Sequence, residues 1–424
     1  MLFYEPRTYR EAAAIPDWKD SMKEELTSHR EAGTWDMVDL PPGKSVVGNR
    51  WVFKVKTKSD GSIERQKYRV VAQGYTQEYG IDYEETSAPV ARMVTFRTLI
   101  VVVAVQQWNL HQMDVKNAFL HGELQEEVYM QPPPGLPHAP NQVCKLRKAI
   151  YGLEQAHRAW FKKFSSAILE YGFIQSFYDS AMFTRLSSKG IVILLLYVDD
   201  MVITGSDLEG INNLKTYLSS CFHLKDLGFL SYFLGIEVGK SNNGYLVSQV
   251  KYVMQFLLVY ASEIIQRTGI TDTKVVDTPL EVNVRHSPTD GTLLSNPILY
   301  RQLVGSLNYL TITRPDISHD VHIVSQFMSA PRSTYYAVVL RILRYLKGTL
   351  YQGLQFSSKS DLTLRAYSDS DWEGDVTDRR SITGYCVFLG DSLISWRSKK
   401  QTIVSRSSAE AEYRALAHTK FEII

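Results

Sequence analysis

Two adjacent aspartates, Asp199 and Asp200, lie between two apolar runs of the sequence. The run at 191–196 contains only isoleucine, valine and leucine, and the run at 201–203 is also apolar. Runs of this length predict two buried strands joined by a tight turn, which would place both carboxylates at the tip. Carboxylates that repel each other in this way are typical of divalent-cation sites. A lone Asp-Asp pair is more often a polar turn, but the core-like sequence on both sides favours the cation site.

A third carboxylate, Asp114, lies in a separate segment at 111–120, after the apolar stretch at 99–105. That stretch could be helix or strand by its periodicity alone. Three carboxylates from two segments can bind two magnesium ions about 3.5–4 Å apart, one activating a 3′-hydroxyl and one carrying a triphosphate. Manganese could replace magnesium at such oxygen ligands. By itself, Asp114 would more often be a solvated loop residue than a metal ligand.

Some of the helices and strands that must position these carboxylates can be predicted from the sequence. Trp18, Met22 and Leu26 recur at helical spacing and predict an amphipathic helix. The segments 51–56 and 63–72 flank an Asp-Gly pair, which predicts a β-hairpin. Further helices are predicted at 151–171, 300–310, 335–347 and 409–421, and further strands at 362–369, 381–389 and 393–396.

The two carboxylate segments resemble the catalytic motifs of reverse transcriptases. From near residue 18 to its last residues, the chain resembles the copia-type retrotransposon polyprotein. Any one motif could arise by chance, whereas their joint occurrence in this order is specific. The motifs that carry the resemblance are Trp51-Val52-Phe53-Lys54-Val55-Lys56, Gln112-Met113-Asp114-Val115-Lys116-Asn117-Ala118-Phe119-Leu120, Tyr197-Val198-Asp199-Asp200, Tyr232-Phe233-Leu234-Gly235-Ile236-Glu237, Thr313-Arg314-Pro315-Asp316-Ile317 and Ser407-Ser408-Ala409-Glu410-Ala411-Glu412-Tyr413.

The resemblance implies an α+β fold: a right-hand polymerase with fingers, palm and thumb/connection, followed by a partial ribonuclease H-like domain. It places the reverse transcriptase at 1–270, the connector and thumb/connection helices at 271–360, and the ribonuclease H-like domain at 361–424. The implied activity is that of an RNA-directed DNA polymerase, a nucleotidyltransferase that extends a primer 3′-hydroxyl by a two-metal mechanism. The implied partners are an RNA template, a DNA primer and dNTPs, and the oligomeric state stays open.

The resemblance also implies roles for individual residues. Asp114, Asp199 and Asp200 would hold two Mg²⁺ ions. Lys225 would be the general acid that protonates the departing pyrophosphate, although it could equally be an ordinary surface lysine. The implied nucleotide-binding residues are Lys67, Arg69, Phe119 and Gln155.

Two of these assignments also have a physical argument. Lys67 and Arg69 end a segment, 44–69, with eight basic and two acidic residues, which could clamp phosphates or simply face solvent. Phe119 lies five residues after Asp114, where reverse transcriptases place an aromatic gate. A ring beneath the sugar leaves no room for a 2′-hydroxyl, so deoxynucleotides would be preferred. A buried core aromatic is the commoner role of a phenylalanine.

The C-terminal segment resembles the first half of a ribonuclease H fold. Asp369 and Glu410 match two of its metal-binding carboxylates, with Asp371 as a possible substitute for the first. The chain stops at Ile424, before the carboxylates that the family places later. We therefore expect no ribonuclease H activity. We also expect the third strand and the helix to lack partners, which would leave an exposed edge.

Composition limits the alternatives. A hydrophobic content of 44% supports packed cores, and a net charge of +2 means that nucleic-acid affinity must come from local patches. Cys144, Cys221 and Cys386 lie far apart without zinc spacing, which favours a reducing compartment. No apolar run approaches the roughly 20 residues of a membrane span. The sequence therefore predicts an intracellular protein, cytoplasmic or nuclear, without a membrane partner.

The chain departs from the family at the motif Lys-Gln-Ala-Pro-Arg, which reads Glu154-Gln155-Ala156-His157-Arg158 here. The glutamate reverses a charge, and the histidine removes a stiffening proline. These changes, together with the absence of protease and integrase regions, support an alternative: a noncatalytic, decayed retrotransposon fragment that at most binds nucleic acid. The intact aspartates favour the polymerase. A DNA-templated polymerase is less favoured, because the motifs match the reverse-transcribing group.

Overall fold

The computed structural model of the chain describes residues 5–57, 63–268, 274–281, 287, 289–375 and 377–423. Its contacts divide the chain into two compact units. The first comprises Met1–Ala91 and His111–Gly228, and the second comprises Arg92–Leu110 and Phe229–Ile424. Each unit is therefore built from two separate stretches of sequence. The domain boundaries predicted from the sequence follow the family's functional division instead, and they stay a prediction.

The chain contains both helices and strands. The described helices are α1 (Tyr9–Ala13), α2 (Pro16–Glu31), α3 (Met93–Gln106), α4 (Ala156–Glu170), α5 (Leu208–Cys221), α6 (Val250–Thr268), α7 (Pro297–Leu310), α8 (Ser318–Ser325), α9 (Ser333–Gly348) and α10 (Ser408–Ile423), with 3-10 turns at Gly74–Thr76, Ala118–His121 and Pro315–Ile317. The described strands are β1 (Trp35–Asp39), β2 (Asn49–Thr57), β3 (Ile63–Ala72), β4 (His111–Val115), β5 (Glu123–Met130), β6 (Gln142–Lys148), β7 (Ile174–Gln175), β8 (Met182–Ser187), β9 (Gly190–Tyr197), β10 (Asp200–Gly205), β11 (Leu224–Phe229), β12 (Tyr232–Phe233), β13 (Ile236–Ser241), β14 (Gly244–Ser248), β15 (Leu354–Ser357), β16 (Leu364–Ser370), β17 (Ile382–Leu389) and β18 (Ser392–Lys400).

A six-stranded sheet in the first unit has the order β11–β4–β10–β9–β8–β7. Strands β9 and β10 pair antiparallel, with Tyr197 opposite Asp200 at the turn, which confirms the predicted hairpin. Leu194 of β9 shares a fully buried core with Trp160 of α4 and Leu214 of α5. Burying side chains of this size contributes about 1.5–3 kcal/mol each. The tip that carries the aspartates therefore stands on a rigid base.

The hairpin of β2 and β3 packs on the predicted amphipathic helix, which is α2. Trp51 and Phe53 lie on the same face of β2 and are buried against Trp18 and Met22. The rings of Trp18 and Phe53 meet edge to face, with 5.3 Å between their centroids. Both predictions are confirmed, and the turn between the strands, 58–62, lies outside the described residues.

The apolar stretch at 99–105 forms helix α3 in the second unit. Consecutive side chains such as Leu99, Ile100 and Val101 are all buried. A helix that is buried on nearly all sides lacks a single apolar stripe, so periodicity could not separate helix from strand. The described helices include none that combines the length and the hydropathy needed to cross a membrane.

Arg97 ties α3 to two later segments of the second unit. Its guanidinium donates to the carbonyls of Ile312 at 2.6 Å and Ile394 at 3.1 Å, and lies 4.0 Å from the ring centroid of Trp396. Burial lowers the pKa of Arg97 to about 10. The two carbonyl acceptors and the ring offset part of the cost of removing this charge from water.

Arg314 caps the C-terminal end of α9, a helix in the core of the second unit. Its guanidinium donates to the Thr349 carbonyl at 3.0 Å, the Thr349 hydroxyl at 2.7 Å and the Gln352 amide oxygen at 3.2 Å. The same group pairs with the Asp316 carboxylate at 2.7 Å, which also accepts a hydrogen bond from Tyr345 at 2.8 Å. A cation at this position satisfies the free carbonyls and complements the dipole of a helix end.

The last sheet, β16–β17–β18, is joined to α10 by the buried side chain of Gln401. Its amide nitrogen donates to the Ser370 hydroxyl at 3.1 Å, the Thr383 hydroxyl at 3.0 Å and the Ala411 carbonyl at 3.0 Å. Ser370 and Thr383 therefore face the helix. This order of three strands and a helix agrees with the elements predicted from the sequence.

The expectation that the third strand and the helix lack partners is wrong. Helix α10 packs on β16 and β17, and β18 packs against α8, where Trp396 donates to the Ser318 hydroxyl at 3.0 Å. Earlier strands and helices of the same unit supply these partners. Both β16 and the third strand, β18, nevertheless have only one hydrogen-bonded neighbour each in the described sheet, and Tyr367 of β16 is 60% exposed.

Candidate active site

The loop between β9 and β10 consists of Val198 and Asp199. Val198 has φ +53°, in the left-handed region. A two-residue loop with positive φ at its first residue usually carries glycine there, because a β-branched side chain crowds the backbone. Conformations of this kind cost of order 1–3 kcal/mol and cluster at functional sites. The strained valine therefore marks the tip as a candidate site.

Two hydrogen bonds hold this strained loop in place. The indole nitrogen of the buried Trp160 donates to the Val198 carbonyl at 2.7 Å. The amide of Val115, the residue after Asp114, donates to the Asp199 carbonyl at 2.9 Å. The loop is thus anchored both to helix α4 and to the strand that carries the third aspartate.

Asp114 lies directly opposite Asp200 in the register of β4 and β10. Opposed residues of an antiparallel pair point to the same face, with Cα atoms roughly 4.5–5.5 Å apart. Asp114, Asp199 and Asp200 are all partly exposed. The structure thus brings the three predicted aspartates to one open end of the sheet. Within the described ranges, no three His, Cys, Asp or Glu side chains are already arranged to hold a metal ion.

Burial raises the pKa of Asp200 to about 6, and Asp199 and Asp114 add to the rise by like-charge repulsion. The Gln112 amide, which donates to the Asp200 carboxylate at 3.3 Å, acts in the opposite direction. A carboxylate under this repulsion gains from a nearby cation.

Replacing Asp200 by asparagine should raise the free energy of unfolding of the metal-free protein at pH 7. The folded state binds the Asp200 proton more tightly than the unfolded state, so wild-type stability should fall as pH rises from about 4 to about 6. The full shift would correspond to about 3 kcal/mol, and partial exposure reduces the expected gain to about 1–2 kcal/mol. Denaturant unfolding in EDTA at several pH values measures it. Asp39→Asn, at an exposed position, is the control, and a destabilised Asp200→Asn would contradict the prediction.

Arg69 and Phe119 both contact the Tyr151 ring. The Arg69 guanidinium lies 3.5 Å from the Tyr151 ring centroid, and the Phe119 ring meets Tyr151 edge to face at 4.6 Å. Phe119 is only 4% exposed and also contacts His157 at 4.8 Å. Lys67 belongs to the same strand as Arg69, but its side chain lies outside the described residues.

Gln155 is fully buried, unlike an open nucleotide-binding side chain. Its amide oxygen accepts from Gln77 at 3.2 Å, and its amide nitrogen donates to the Asp82 carbonyl at 3.2 Å. These bonds fix the loop at 73–90 to the start of α4. Nucleotide contact by Gln155 stays a prediction that would require this network to open.

Lys225 is exposed on β11, the strand next to β4 in the six-stranded sheet. The strand order thus places it one strand away from Asp114. This position is compatible with the predicted general acid and equally with a surface lysine. Its catalytic role stays a prediction.

Asp369 and Glu410 have different neighbours in the structure. Asp369 alternates with Ser370, which faces α10, so it lies on the opposite face, where it lines a cavity of about 480 Å³ with Asp371 and His319. Glu410 accepts from the Arg406 amide at 2.8 Å and pairs with Arg414 at 2.7 Å. These contacts have no residue in common, and the partial ribonuclease H site stays a prediction.

Sequence reasoning missed the residues that support the site. Trp160 and Tyr151 belong to the motif at 151–160, but nothing in their spacing shows that they reach the aspartate tip or Arg69. Gln112 belongs to the motif around Asp114. The clearest available signal was Val198, a β-branched residue at a turn position that favours glycine.

Comparison with known proteins agrees with this geometry. The family model described as "Reverse transcriptase (RNA-dependent DNA polymerase)" matches residues 32–282. The retrovirus-related Pol polyproteins from transposons RE1 and RE2 of Arabidopsis thaliana are 44% and 42% identical to the chain, each over 422 residues. The Pol polyprotein from transposon TNT 1-94 of Nicotiana tabacum is 39% identical over 437 residues.

Each alignment covers 99% of this chain, but only 28% of the RE1 and RE2 polyproteins and 32% of the TNT 1-94 polyprotein. The chain thus spans less than a third of the length of these relatives. The resemblance to copia-type transposon polyproteins is confirmed. The matched segment contains the strained tip and all three aspartates, and the chain belongs to the reverse transcriptase (RNA-dependent DNA polymerase) family.

Proposed function

We propose that the chain is an RNA-directed DNA polymerase of a copia-type retrotransposon, extending a primer 3′-hydroxyl with dNTPs on an RNA template. The observation that carries the proposal is the register of β4 and β10, which sets Asp114 opposite Asp200 beside the Asp199 turn. Family membership supports the same chemistry. Binding of both template and primer is part of the proposal.

The three aspartates fit a magnesium site by their chemistry. Carboxylate oxygens are the ligands that Mg²⁺ prefers, and these are partly exposed at the end of a rigid sheet. Burial raises the pKa of Asp200, with a further contribution from Asp199 and Asp114, and a nearby cation would favour its charged form. Asp114, Asp199 and Asp200 would hold two ions, with Mn²⁺ as a possible replacement. When bound, such ions stabilise the attacking and leaving oxygens of an in-line displacement.

Other side chains would bind the nucleotide and move protons. Arg69 and Lys67 would contact the triphosphate, Phe119 would exclude a 2′-hydroxyl, and Lys225 would donate a proton to the departing pyrophosphate. His157 lies in the first turn of α4, where backbone amides are free in any helix. Proline and histidine at this position therefore leave the same hydrogen bonds within the helix.

Primer extension on an RNA template tests the proposal. Wild-type protein should extend a labelled primer in Mg²⁺ and stop when EDTA is added, whereas Asp199→Asn should be inactive. A folded wild-type protein that binds the primer–template without extending it would instead support the noncatalytic, decayed fragment. Because Asp369 and Glu410 have separate neighbours, the proposal does not extend to ribonuclease H activity.

Phe119→Val should raise incorporation of ribonucleotides relative to deoxynucleotides by at least about tenfold, because a smaller side chain leaves room for the 2′-hydroxyl. Since Phe119 is buried, Phe119→Ala would also cost about 3–5 kcal/mol of stability. The measurement is the ratio of single-nucleotide extension rates, which cancels any loss of folded protein.

Phe164→Val is the matched control, because Phe164 is buried in the same core and its ring meets those of Trp160, Phe183 and Phe222. It should lower stability without changing sugar choice. An unchanged sugar ratio in Phe119→Val would show that Phe119 is only a core residue.

A further inference from the structure

Four side chains of the first unit form a continuous stack of face and edge contacts. Arg69 lies over the Tyr151 ring at 3.5 Å, Tyr151 meets Phe119 edge to face at 4.6 Å, and Phe119 meets His157 at 4.8 Å. Tyr151 therefore contacts both a predicted triphosphate-binding residue and the predicted sugar gate. No role for Tyr151 follows from the sequence motifs.

We propose that Tyr151 is a positioning residue that holds the Arg69 guanidinium and the Phe119 ring in place for the incoming nucleotide. This inference rests on the proposed polymerase function and deepens it. Tyr151 acts through its two neighbours and does not itself contact the reacting atoms.

The backbone around Tyr151 provides a fixed base for this role. The amide of Ala72, at the end of β3, donates to the Tyr151 carbonyl at 2.8 Å. The next residue, Gly152, has φ +91°, and a Cβ there would lie 2.2 Å from the Ala72 carbonyl oxygen. Only glycine permits this close approach. Tyr151 is thus fixed to the strand that carries Arg69 three residues earlier.

Arg69 needs such support because its side chain is long and partly exposed. An arginine free to sample many rotamers loses conformational entropy when a ligand orders it. A ring face at 3.5 Å restricts the guanidinium before the nucleotide arrives. The same ring packs on Phe119, so one residue would tune both triphosphate binding and sugar choice.

The stack also lies within electrostatic reach of the aspartate tip. Burial raises the pKa of Tyr151 to about 12, Arg69 opposes the rise, and Asp199 adds to it. The phenol is therefore neutral under assay conditions. An uncharged ring thus contacts both the Arg69 cation and the Phe119 ring.

Substitutions that separate the ring from the hydroxyl test the inference. Tyr151→Phe keeps the stack and should change KM for dNTP by less than about twofold. Tyr151→Leu should raise KM by about 3- to 30-fold with kcat nearly unchanged, and should weaken discrimination against ribonucleotides. Nucleotide affinity for a complex with a chain-terminated primer, measured in parallel, should fall by the same factor.

Tyr171→Leu is the matched control. Tyr171 lies below the Arg185 guanidinium at 4.7 Å and stacks on Tyr217 at 4.1 Å, so it loses the same kind of contact outside the proposed nucleotide site. It should leave KM and sugar choice unchanged. Equal KM changes in Tyr171→Leu and Tyr151→Leu would mean that the effect is general destabilisation, and would overturn the inference.

Combination with Arg69→Ala shows whether Tyr151 acts through Arg69. The KM increase of the double variant should be smaller than the product of the single increases. Independent effects would overturn the inference while leaving the polymerase proposal intact. A wild-type protein that neither extends primers nor binds nucleotide would overturn both.

Discussion

Asp199→Asn and Asp114→Asn are each expected to lower primer extension by at least about a thousandfold while the protein stays folded. An amide keeps the size of the carboxylate but removes the negative charge that a divalent cation requires. Losing charge stabilisation at a reacting centre costs factors of about 10²–10³ or more in rate. Single-nucleotide extension on an RNA template at saturating Mg²⁺ measures the loss, and circular dichroism verifies the fold.

Asp36→Asn is the control for this pair. Asp36 lies on β1 in the same unit and forms a largely exposed ion pair with Arg147 at 2.5 Å, so losing its charge should change activity little. The active-site assignment would be untenable if Asp199→Asn kept a tenth or more of wild-type activity. Restoration of Asp114→Asn by Mn²⁺ alone would indicate weakened metal affinity.

Arg314→Ala is expected to lower the free energy of unfolding by about 3–5 kcal/mol. The guanidinium is 2% exposed and joins the Asp316 carboxylate to the C-terminal end of α9. Its removal would leave Asp316 without its cation and the Thr349 carbonyl with only the Gln352 amide as a donor. Arg314→Lys should restore part of the loss, because an ammonium keeps the charge but cannot reproduce the planar set of donors.

Equilibrium unfolding in urea measures this effect, with Arg301→Ala as the control. Arg301 also donates to a backbone carbonyl, that of Met328 at 2.8 Å, but it is exposed, so its loss should cost less than about 1 kcal/mol. Similar losses in the two variants would refute the capping role of Arg314.

The sequence predicted the local elements of the site well. Two apolar runs separated by four residues allow few arrangements, and the β9–β10 hairpin forms as expected. Alternation in β2 and helical spacing at Trp18 and Met22 likewise correspond to the observed hairpin and helix. In each case the pattern reports one buried face, which is a local property.

The remaining features depend on contacts between distant segments. The sequence could not show that the Gln155 amide is hydrogen-bonded to Gln77 and Asp82. It also could not show that Phe119 is almost fully buried and contacts Tyr151 and His157. Spacing gives neither the depth of a side chain nor the partner of an amide. The partners of the third strand and of α10 were missed for the same reason.

The hydrogen bond from Arg97 to Ile394 joins residues 297 positions apart. At about 5–20 residues per second, a ribosome would need roughly 15–60 s to make the intervening chain. Until residues 312 and 394 are made, the apolar helix α3 would lack both carbonyl acceptors of its buried arginine. Heterologous production should therefore benefit from chaperones or from a lower growth temperature. A shortened version that ends at residue 228 should precipitate.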